Sequence, residues 1–224
     1  MDISVRGIGW ITNHEYGCVR TGVHRVREAA GSFETVMKSD IFSHPVRNFG
    51  RFDPVSKMTC SAVALALKDA AIEYTAGRKQ DIGIVGTNTE GSLRSDIEYF
   101  RDYLDSGRTS SRGNLFIYTL PSSPLGEAAI HFGLLGPLLY VAGADPGLVT
   151  ALDAAKEMLL AGEAPIMLAG KADENEAAFL VLGERSGVNA AMTIGLDDCR
   201  SVVLTCSSAS ELAQRCHLTF SGKG

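Results

Sequence analysis

Apolar and polar residues alternate along the first part of the chain with two different periods. Residues 3–12 alternate apolar residues with small or polar ones and include two glycines, which predicts a strand that another backbone approaches closely. Between residues 56 and 74 the apolar positions follow helical spacing, and Ser56 is placed to act as the N-cap. Residues 81–86 form a short unbroken apolar run, as in a strand that is covered on both faces.

The same alternation of element types continues to the end of the chain. A tight turn over residues 173–176 makes the strands on either side of it antiparallel neighbours. Because strands and helices alternate, the pattern predicts an α/β protein with a mostly parallel or mixed sheet. The further predicted helices cover residues 32–42, 95–104, 125–132, 146–160 and 210–216, and the further predicted strands cover residues 138–142, 165–169, 177–182 and 201–206.

The composition is that of an ordinary globular protein and excludes one class of partner. With 224 residues, 45% apolar and 21% charged, the chain is long enough for one large domain, which is our interpretation. The formal net charge is -5, and the Lys and Arg residues are scattered rather than gathered in a basic stripe. Binding to nucleic acid requires such a stripe to neutralise phosphates, so nucleic acid is not expected as a partner.

The sequence carries no signal for secretion, membrane insertion or disulfide bonding. Asp2 is charged, no apolar core of signal-peptide length follows it, and no run of about 18 apolar residues predicts a membrane span. The five cysteines are odd in number and form no C-x-x-C pair, which argues against a disulfide framework and against a zinc knuckle. We therefore expect a cytoplasmic protein with reduced thiols, no membrane contact and no cofactor.

Three features could carry other chemistry, and for each the structural interpretation is favoured. Residues 86–91, Gly-Thr-Asn-Thr-Glu-Gly, follow a predicted strand but lack both the Gly-Lys-Ser/Thr ending and the G-x-G-x-x-G spacing of phosphate loops. The histidines show no H-x-H or H-x-x-x-H spacing, and His131 lies on an apolar predicted helix, so a metal site is not expected. Cys60 lies one turn into a predicted helix, as a small buried thiol would.

Residues 114–173 present a series of features in an order similar to that of the β-ketoacyl-acyl carrier protein synthases. The series begins with Leu-Pro-Ser-Ser at residues 120–123 and a helix that ends in Ile-His-Phe-Gly-Leu-Leu-Gly-Pro at residues 130–137. A strand, a sharp turn and a helix ending in Ala-Gly-Glu-Ala at residues 161–164 follow, and a strand closes on Met-Leu-Ala-Gly at residues 167–170. The chain therefore resembles the N-terminal half of that family.

The resemblance implies an α/β fold, half of a thiolase-like fold, with a mixed five-stranded sheet and helices on both faces. The family's complete fold consists of two such halves. On this basis residues 1–184 form a β-ketoacyl-synthase N-terminal-like domain. Residues 185–224 are expected to be a C-terminal extension that packs on the same domain.

The family's nucleophilic cysteine lies where a strand turns into a helix, in a pattern similar to Thr-Ala-Cys-Ser-Ser-Gly-Leu-x-Ala-Leu. Alignment on Gly147 and its neighbours places Ala144 at the position of that cysteine. In the family, the thiolate is activated at the helix N-terminus and accepts the acyl chain as a thioester. Ala144 has no nucleophile, and the Asp145 carboxylate would repel a developing oxyanion. Asp145 followed by Pro146 is also an ordinary helix start, and this structural interpretation is favoured.

The resemblance also implies what the chain does not contain. The family's remaining catalytic residues lie in its second half, before which this chain ends. We therefore expect a catalytically inactive accessory subunit of fatty-acid or polyketide biosynthesis, similar to a chain-length factor. It would pair with itself or with a full β-ketoacyl synthase and contact acyl carrier protein. The alternative is an acyltransferase or condensing enzyme that uses another nucleophile, such as Cys60, or that is completed by a separately encoded second half.

The predicted helix at residues 146–160 is apolar around most of its circumference, so something must cover it. In the family, the second half covers this helix, and the strand before it pairs across a dimer axis. Here, either another chain or residues 185–224 must cover it. We expect a dimer whose interface is formed by Leu138, Tyr140, Leu152 and Leu159.

Overall fold

The computed structural model describes residues 2–26, 38–75, 77–109, 112–143, 147–185 and 193–221. These residues form eight strands and eight α-helices. The strands are β1 Ile3–Thr12, β2 Glu15–Cys18, β3 Val23–Val26, β4 Ile82–Thr87, β5 Leu138–Tyr140, β6 Ile166–Ala172, β7 Glu176–Glu184 and β8 Ile194–Gly195. The helices are α1 Lys38–Ile41, α2 Pro54–Asp69, α3 Leu93–Asp105, α4 Gly113–Phe116, α5 Ser123–Phe132, α6 Gly147–Leu160, α7 Leu196–Val203 and α8 Ala209–Ser221.

All eight strands belong to one mixed sheet with the order β3-β2-β1-β7-β6-β4-β5, and β8 pairs with β1. β4 pairs in parallel with β5 and β6, whereas β6 and β7 are antiparallel, as the tight turn between them predicted. The α/β class with helices on both faces is confirmed, and the sheet is larger than the expected five strands. The unforeseen strands are the hairpin β2–β3 and the short β8, because residues 13–26 show no sustained alternation that would predict them.

β1 lies in the middle of the sheet and packs closely against α2. A Cβ atom added at Gly9 would lie 2.1 Å from the backbone nitrogen of Ala66, and one added at Gly7 would lie 2.4 Å from that of Ala70. Only glycine leaves room for the α2 backbone at these two positions. The close backbone approach predicted from the two glycines is thus confirmed.

Helices α1, α2 and α5 cover one face of the sheet and form one hydrophobic cluster with it. α2 begins at Pro54 rather than at Ser56, because Asp53 is the N-cap and its Oδ1 accepts from the Ser56 backbone N–H at 2.9 Å. An Asp-Pro pair at N-cap and N1 is a strong helix start, which corrects the assignment of Ser56 as the cap.

Helices α6, α7 and α8 cover the opposite face and share a second cluster with β1, β6 and β7. α7 occupies residues for which a strand, 201–206, was predicted, and that prediction is wrong. Of the apolar run there, Val203 lies on the buried side of the helix with Leu196 and Cys199, whereas Leu204 follows the helix and is exposed. A run of this length does not by itself distinguish a strand from one side of a helix.

Three hydrogen bonds attach α8 to the rest of the fold. The Ala209 backbone N–H donates to Glu176 Oε2 at 2.9 Å, and Ser210 Oγ donates to Glu15 Oε1 at 2.5 Å. His217 Nδ1 lies 2.9 Å from the Val19 carbonyl oxygen. The C-terminal residues are therefore joined both to the β6–β7 hairpin and to the strands beside β1.

The other predicted elements agree with the structure within a few residues. These are the strands now defined as β1 and β4–β7 and the helices α3, α5, α6 and α8. Of the helix predicted over residues 32–42, only α1 is seen, and residues 32–37 lie outside the described residues.

Candidate functional site

The described residues on either side of the turn expected to match the family's nucleophile lie at the carboxyl edge of the parallel strands, between the end of β5 and the start of α6. Ala144 and Asp145 themselves lie outside the described residues. Gly147, the first residue of α6, is buried against the last residue of β4: a Cβ atom added to it would lie 3.2 Å from Thr87 Cγ2. The sequence therefore places this turn where ligands bind in open α/β sheets.

A cavity of about 470 Å³ opens beside the start of α6. Leu148, Ala177 and Ala178 form one wall, and the α7–α8 connection, with Cys206, forms another. Cys206 is the one cysteine of the five that is not buried. Burial is the main cause that raises the pKa of the Cys206 thiol, so this thiol is mainly protonated at neutral pH and is not an activated nucleophile.

Cys60, the nucleophile named in the enzymatic alternative, does not face this cavity. It is fully buried inside α2, and burial raises the pKa of its thiol well above the ordinary value. The carboxylates of Glu127 and Asp53 raise it further. A buried and protonated thiol is inert, so the geometry favours the structural interpretation of Cys60.

The outer edge of β5 is free of any described strand, because β5 is the last strand of the sheet order. Leu138 and Leu139 are 40% and 37% exposed, and Tyr140 is half-buried. Tyr140 Oη donates to Asn88 Oδ1 at 2.8 Å, which fixes the strand end against the loop between β4 and α3. Two of the four expected interface residues, Leu138 and Tyr140, thus lie on an open strand edge.

The other two expected interface residues, Leu152 and Leu159, lie in the hydrophobic core. They are 0% and 2% exposed and pack in the cluster that α6, α7, α8 and the sheet form together. Their assignment to an interface is corrected, because the chain's own C-terminal helices complete the cover of α6. Only Glu157 and Leu160 of α6 are exposed.

An apolar row is exposed on α3, the helix that follows the loop held by Tyr140. Leu93, Ile97, Phe100 and Leu104 are all exposed, and no residue of α3 is buried. Their spacing of four, three and four residues places them along one side of the helix. The sequence predicts a helix over residues 95–104, and the spacing of these four residues is a signal from which the apolar row could have been predicted.

The loop at residues 86–91 is a structural turn rather than an open phosphate cradle. Asn88 closes it in both directions, because Asn88 Nδ2 donates to the Gly91 carbonyl and the Gly91 backbone N–H donates to Asn88 Oδ1. His131 packs edge-to-face near Phe52, and burial lowers the pKa of its imidazole. Both features support the structural interpretations made from the sequence.

Two searches of the described residues give negative results. No group of three or more His, Cys, Asp or Glu side chains in this part of the chain is arranged to hold a metal ion. Among the same residues, no helix has both the length and the apolar character needed to cross a membrane.

Comparison with protein families gives one match, to the family described as "Beta-ketoacyl synthase, N-terminal domain", over residues 10–190. That range includes β4, β5, α6 and the turn at Ala144. A search of curated proteins finds no match to this chain.

Several solved structures share the fold at low sequence identity. The ishigamide ketosynthase/chain length factor has 16% identity and a TM-score of 0.57, over 82% of this chain and 62% of that one. A β-ketoacyl synthase from Burkholderia phymatum STM815 has 17% identity and a TM-score of 0.59, over 82% and 59%. A type II polyketide synthase acyl-carrier protein in complex with its ketosynthase has 18% identity and a TM-score of 0.62, over 82% and 63%. At such identities the likeness shows the fold alone, and the match spans about six tenths of each solved chain.

Proposed function

The chain belongs to the β-ketoacyl synthase family, and on that premise we propose that it is a non-catalytic synthase-like subunit that pairs with a ketosynthase in polyketide or fatty-acid biosynthesis. The observation that carries this proposal is the free edge of β5 with its exposed leucines. A strand edge with unpaired backbone groups and apolar side chains is a template for another chain.

The end of β5 is joined to the loop that leads into α3, and we infer that the apolar row of α3 belongs to the same pairing surface. The hydrogen bond from Tyr140 to Asn88 joins the end of β5 to the loop that leads into α3. Phe116, Ile117 and Leu120 are also exposed, and Phe116 packs near Tyr99 of α3. We infer that these apolar residues take part in the same surface, because a large apolar patch is rarely left uncovered on a monomeric protein.

We propose a ketosynthase as the partner at this surface, because the partner must present a strand edge that can pair with β5. The solved structures of similar fold include ketosynthases described together with chain length factors, one of them from Xenorhabdus doucetiae with a TM-score of 0.50. Pairing of two related chains through equivalent strand edges gives a closed assembly, which satisfies both edges at once. A homodimer of this chain would use the same surface and is an alternative outcome of the test below.

The non-catalytic part of the proposal rests on the thiols. Alignment puts Ala144 at the nucleophile position, and Cys18, Cys60, Cys199 and Cys216 are all buried. Burial is the largest influence on the Cys18 thiol and raises its pKa to about 11. No described cysteine therefore combines access with an activated thiolate, which formation of a thioester requires.

The position of α7 weighs against the alternative in which a separately encoded second half completes the enzyme. In the family, the second half covers the helix equivalent to α6. In this chain, α7 packs on α6 through the ion pairs Arg200–Asp153 and Lys156–Asp197, at 3.0 Å and 3.7 Å. A second half would have to displace α7 before it could reach α6.

A cleft of about 530 Å³ on the α2–α5 side supports acyl carrier protein as a further partner. Arg47 and Arg51 lie at this cleft, are exposed, and form no ion pair with any described carboxylate. Phe52 and Ile130 supply apolar surface next to them. Two unpaired guanidinium groups beside apolar side chains suit a partner that presents carboxylate or phosphate groups.

The pairing proposal is tested by mixing the full chain with a ketosynthase from the same organism and measuring mass by light scattering. We expect a one-to-one complex that Leu139→Asp abolishes and that Leu160→Asp, an exposed position on α6, leaves intact. Circular dichroism must show both variants folded. If the chain instead forms a homodimer that Leu139→Asp disrupts, the proposed surface is retained, but its partner is a second copy of this chain. A monomer that binds no ketosynthase would contradict the proposal.

The non-catalytic part has its own test, which uses mass spectrometry after incubation with acyl and malonyl thioesters. We expect no covalent adduct and no decarboxylation. A mass increase that one cysteine substitution in this chain removes would overturn this part alone.

A further inference from the structure

We propose that the chain binds one small oxyanion of the size of phosphate at the amino edge of the sheet, at the opposite end of the strands from Gly147. A cavity of about 90 Å³ lies there between the start of β1, the end of β7 and the residues after α2. It is lined by Ser4, Arg6, Arg20, Ala70, Ile72, Glu184 and Thr193. This inference is independent of the proposed pairing function.

Two half-buried guanidinium groups meet at this cavity, and each uses one nitrogen on a backbone carbonyl. Arg6 Nη2 donates to the Glu184 carbonyl oxygen at 2.6 Å, and Arg20 Nε donates to the Asp69 carbonyl oxygen at 2.7 Å. Neither guanidinium is within ion-pair distance of a carboxylate among the described residues. Each one therefore keeps further N–H donors for a ligand, because a guanidinium has five in all.

Arg6 occupies this position because the β1 backbone is irregular there. The register between β1 and β7 shifts between Val5 and Gly7, so Arg6 is the extra residue of a β-bulge. Bulges redirect a side chain and occur often beside functional sites. Gly183 leaves the space that Arg6 fills, since a Cβ atom there would lie 2.8 Å from Arg6 Cζ.

Ser4 supplies a buried donor that has no hydrogen-bond partner among the described residues. It is fully buried, it lines the cavity, and its Oγ makes no hydrogen bond. A buried hydroxyl without a partner is costly, and native structures rarely keep one without a ligand or an ordered water. Ser4 therefore indicates that the cavity holds a hydrogen-bonding group.

The nearby carboxylates form no ion pair with either arginine. The Asp69 carboxylate accepts from the backbone N–H groups of Ile8, Arg20 and Thr21, at 2.8 to 2.9 Å, and from the Thr21 hydroxyl at 3.0 Å. Its oxygens are thereby occupied by those donors. Glu184 contacts Arg6 through its backbone carbonyl, and its exposed side chain forms no ion pair with Arg6.

The size and charge of the cavity define the ligand class. A water molecule takes about 30 Å³ in the liquid, so the cavity holds about three waters or one tetrahedral oxyanion. Guanidinium groups bind phosphate and sulfate oxygens through paired N–H donors, and the Ser4 hydroxyl can donate to a third oxygen. Inorganic phosphate and the phosphate end of a phosphomonoester share this chemistry.

Calorimetric titration of the full chain with inorganic phosphate, at constant ionic strength set with chloride, tests the proposal. We expect Arg6→Gln and Arg20→Gln each to weaken binding by about tenfold or more, since each removes charge-assisted donors. The matched control is Arg25→Gln, an exposed arginine on β3 away from the cavity, which should bind as the wild type does. If Arg20→Gln fails to fold, Arg6→Gln carries the test, because Arg6 contacts only one carbonyl.

The Ser4→Ala variant distinguishes a hydroxyl that binds a ligand from one that is only an unpartnered group in the core. The variant should weaken phosphate binding several-fold, while the melting temperature without phosphate stays the same or rises because the unpartnered hydroxyl is gone. Tighter binding of glycerol phosphate than of inorganic phosphate would identify a phosphomonoester as the ligand, and weaker binding would identify the free anion. No heat of binding in the wild type, or equal binding by wild type and Arg6→Gln, would overturn the proposal.

Discussion

Arg200 on α7 holds the Asp153 carboxylate on α6 through two contacts, Nε to Oδ1 at 3.0 Å and Nη2 to Oδ2 at 3.2 Å. This ion pair joins α7 to α6, the helix that the sequence predicted would be covered either by another chain or by residues 185–224. Both side chains are nearly half exposed, so solvent screens the attraction between them. The attachment of these helices must therefore come mainly from apolar burial.

The first prediction compares that ion pair with the buried contacts. Arg200→Gln should lower the free energy of unfolding by less than about 1 kcal/mol, because the pair is partly exposed. Leu212→Ala should lower it by about 2–5 kcal/mol, because Leu212 on α8 is buried and the change leaves a cavity. Urea unfolding of both variants measures the two values. A larger loss for Arg200→Gln would mean that the ion pair dominates the attachment.

The second prediction concerns two leucines on α6. Leu152→Asp should prevent folding at every protein concentration, because it buries an unpaired carboxylate in the core. Leu160→Asp should fold normally, since Leu160 is 48% exposed. Circular dichroism and light scattering of both variants check this. A folded Leu152→Asp monomer would show that Leu152 lies at a surface after all.

The third prediction is a pH dependence at Glu15. The Ser210 hydroxyl is the largest cause that lowers the pKa of Glu15, and the contact with His24 lowers it further. A carboxyl with a lowered folded-state pKa stabilises the fold above its unfolded pKa, and this contribution disappears as the pH falls through the lower folded value. The relevant window therefore lies below the ordinary value of 4.5.

Glu15→Gln should therefore be less stable than wild type at pH 6, by less than about 1 kcal/mol because Glu15 is partly exposed. The difference should shrink as the pH is lowered from 6 to 3, because Glu15 becomes protonated as the pH falls through its lowered folded-state pKa. Urea midpoints at the two pH values give the measurement, and Glu73→Gln, at an exposed position, is the control. A difference of equal size at both pH values would contradict the assignment.

The fourth prediction returns to the nucleophile position. Ala144→Cys should form little thioester with acyl donors, because the neighbouring Asp145 carboxylate raises the pKa of the new thiol and no acid/base partner is supplied. Cys206→Ser serves as the background, so that the accessible native thiol does not react. Rapid acylation detected by mass spectrometry would instead show that only the nucleophile had been lost.

The sequence predicted the elements whose signals are local. β1 alternates apolar residues with small or polar ones, β4 is a short and mainly apolar run, and α6 shows a long apolar pattern, so each was predicted within a few residues of its place. The start of α8 was missed by one residue, although Ser208 and Glu211 form the capping pair, with the Glu211 backbone N–H donating to Ser208 Oγ at 3.2 Å. That Ser-x-x-Glu signal is visible in the sequence.

Burial by distant residues could not be predicted in the same way. Leu152 and Leu138 are both leucines in apolar segments, yet one is buried under the C-terminal helices and the other lies on an open strand edge. Whether each leucine is buried or exposed depends on contacts between residues far apart in the chain. The meeting of Arg6 and Arg20 likewise depends on a bulge and on the fold of β2, and neither leaves a pattern that a single sequence reveals.

The pairing of β1 with β7 determines when this protein can fold during its synthesis. Ile3 lies opposite Glu184, so the central strand of the sheet meets its main neighbour only after more than four fifths of the printed chain has been made. Contacts of such large sequence separation are slow to form, and an unpaired apolar strand is prone to aggregate meanwhile. β2 can pair with one edge of β1 early in synthesis, but the edge that β7 will occupy must stay unpaired until the end of β7 has been made.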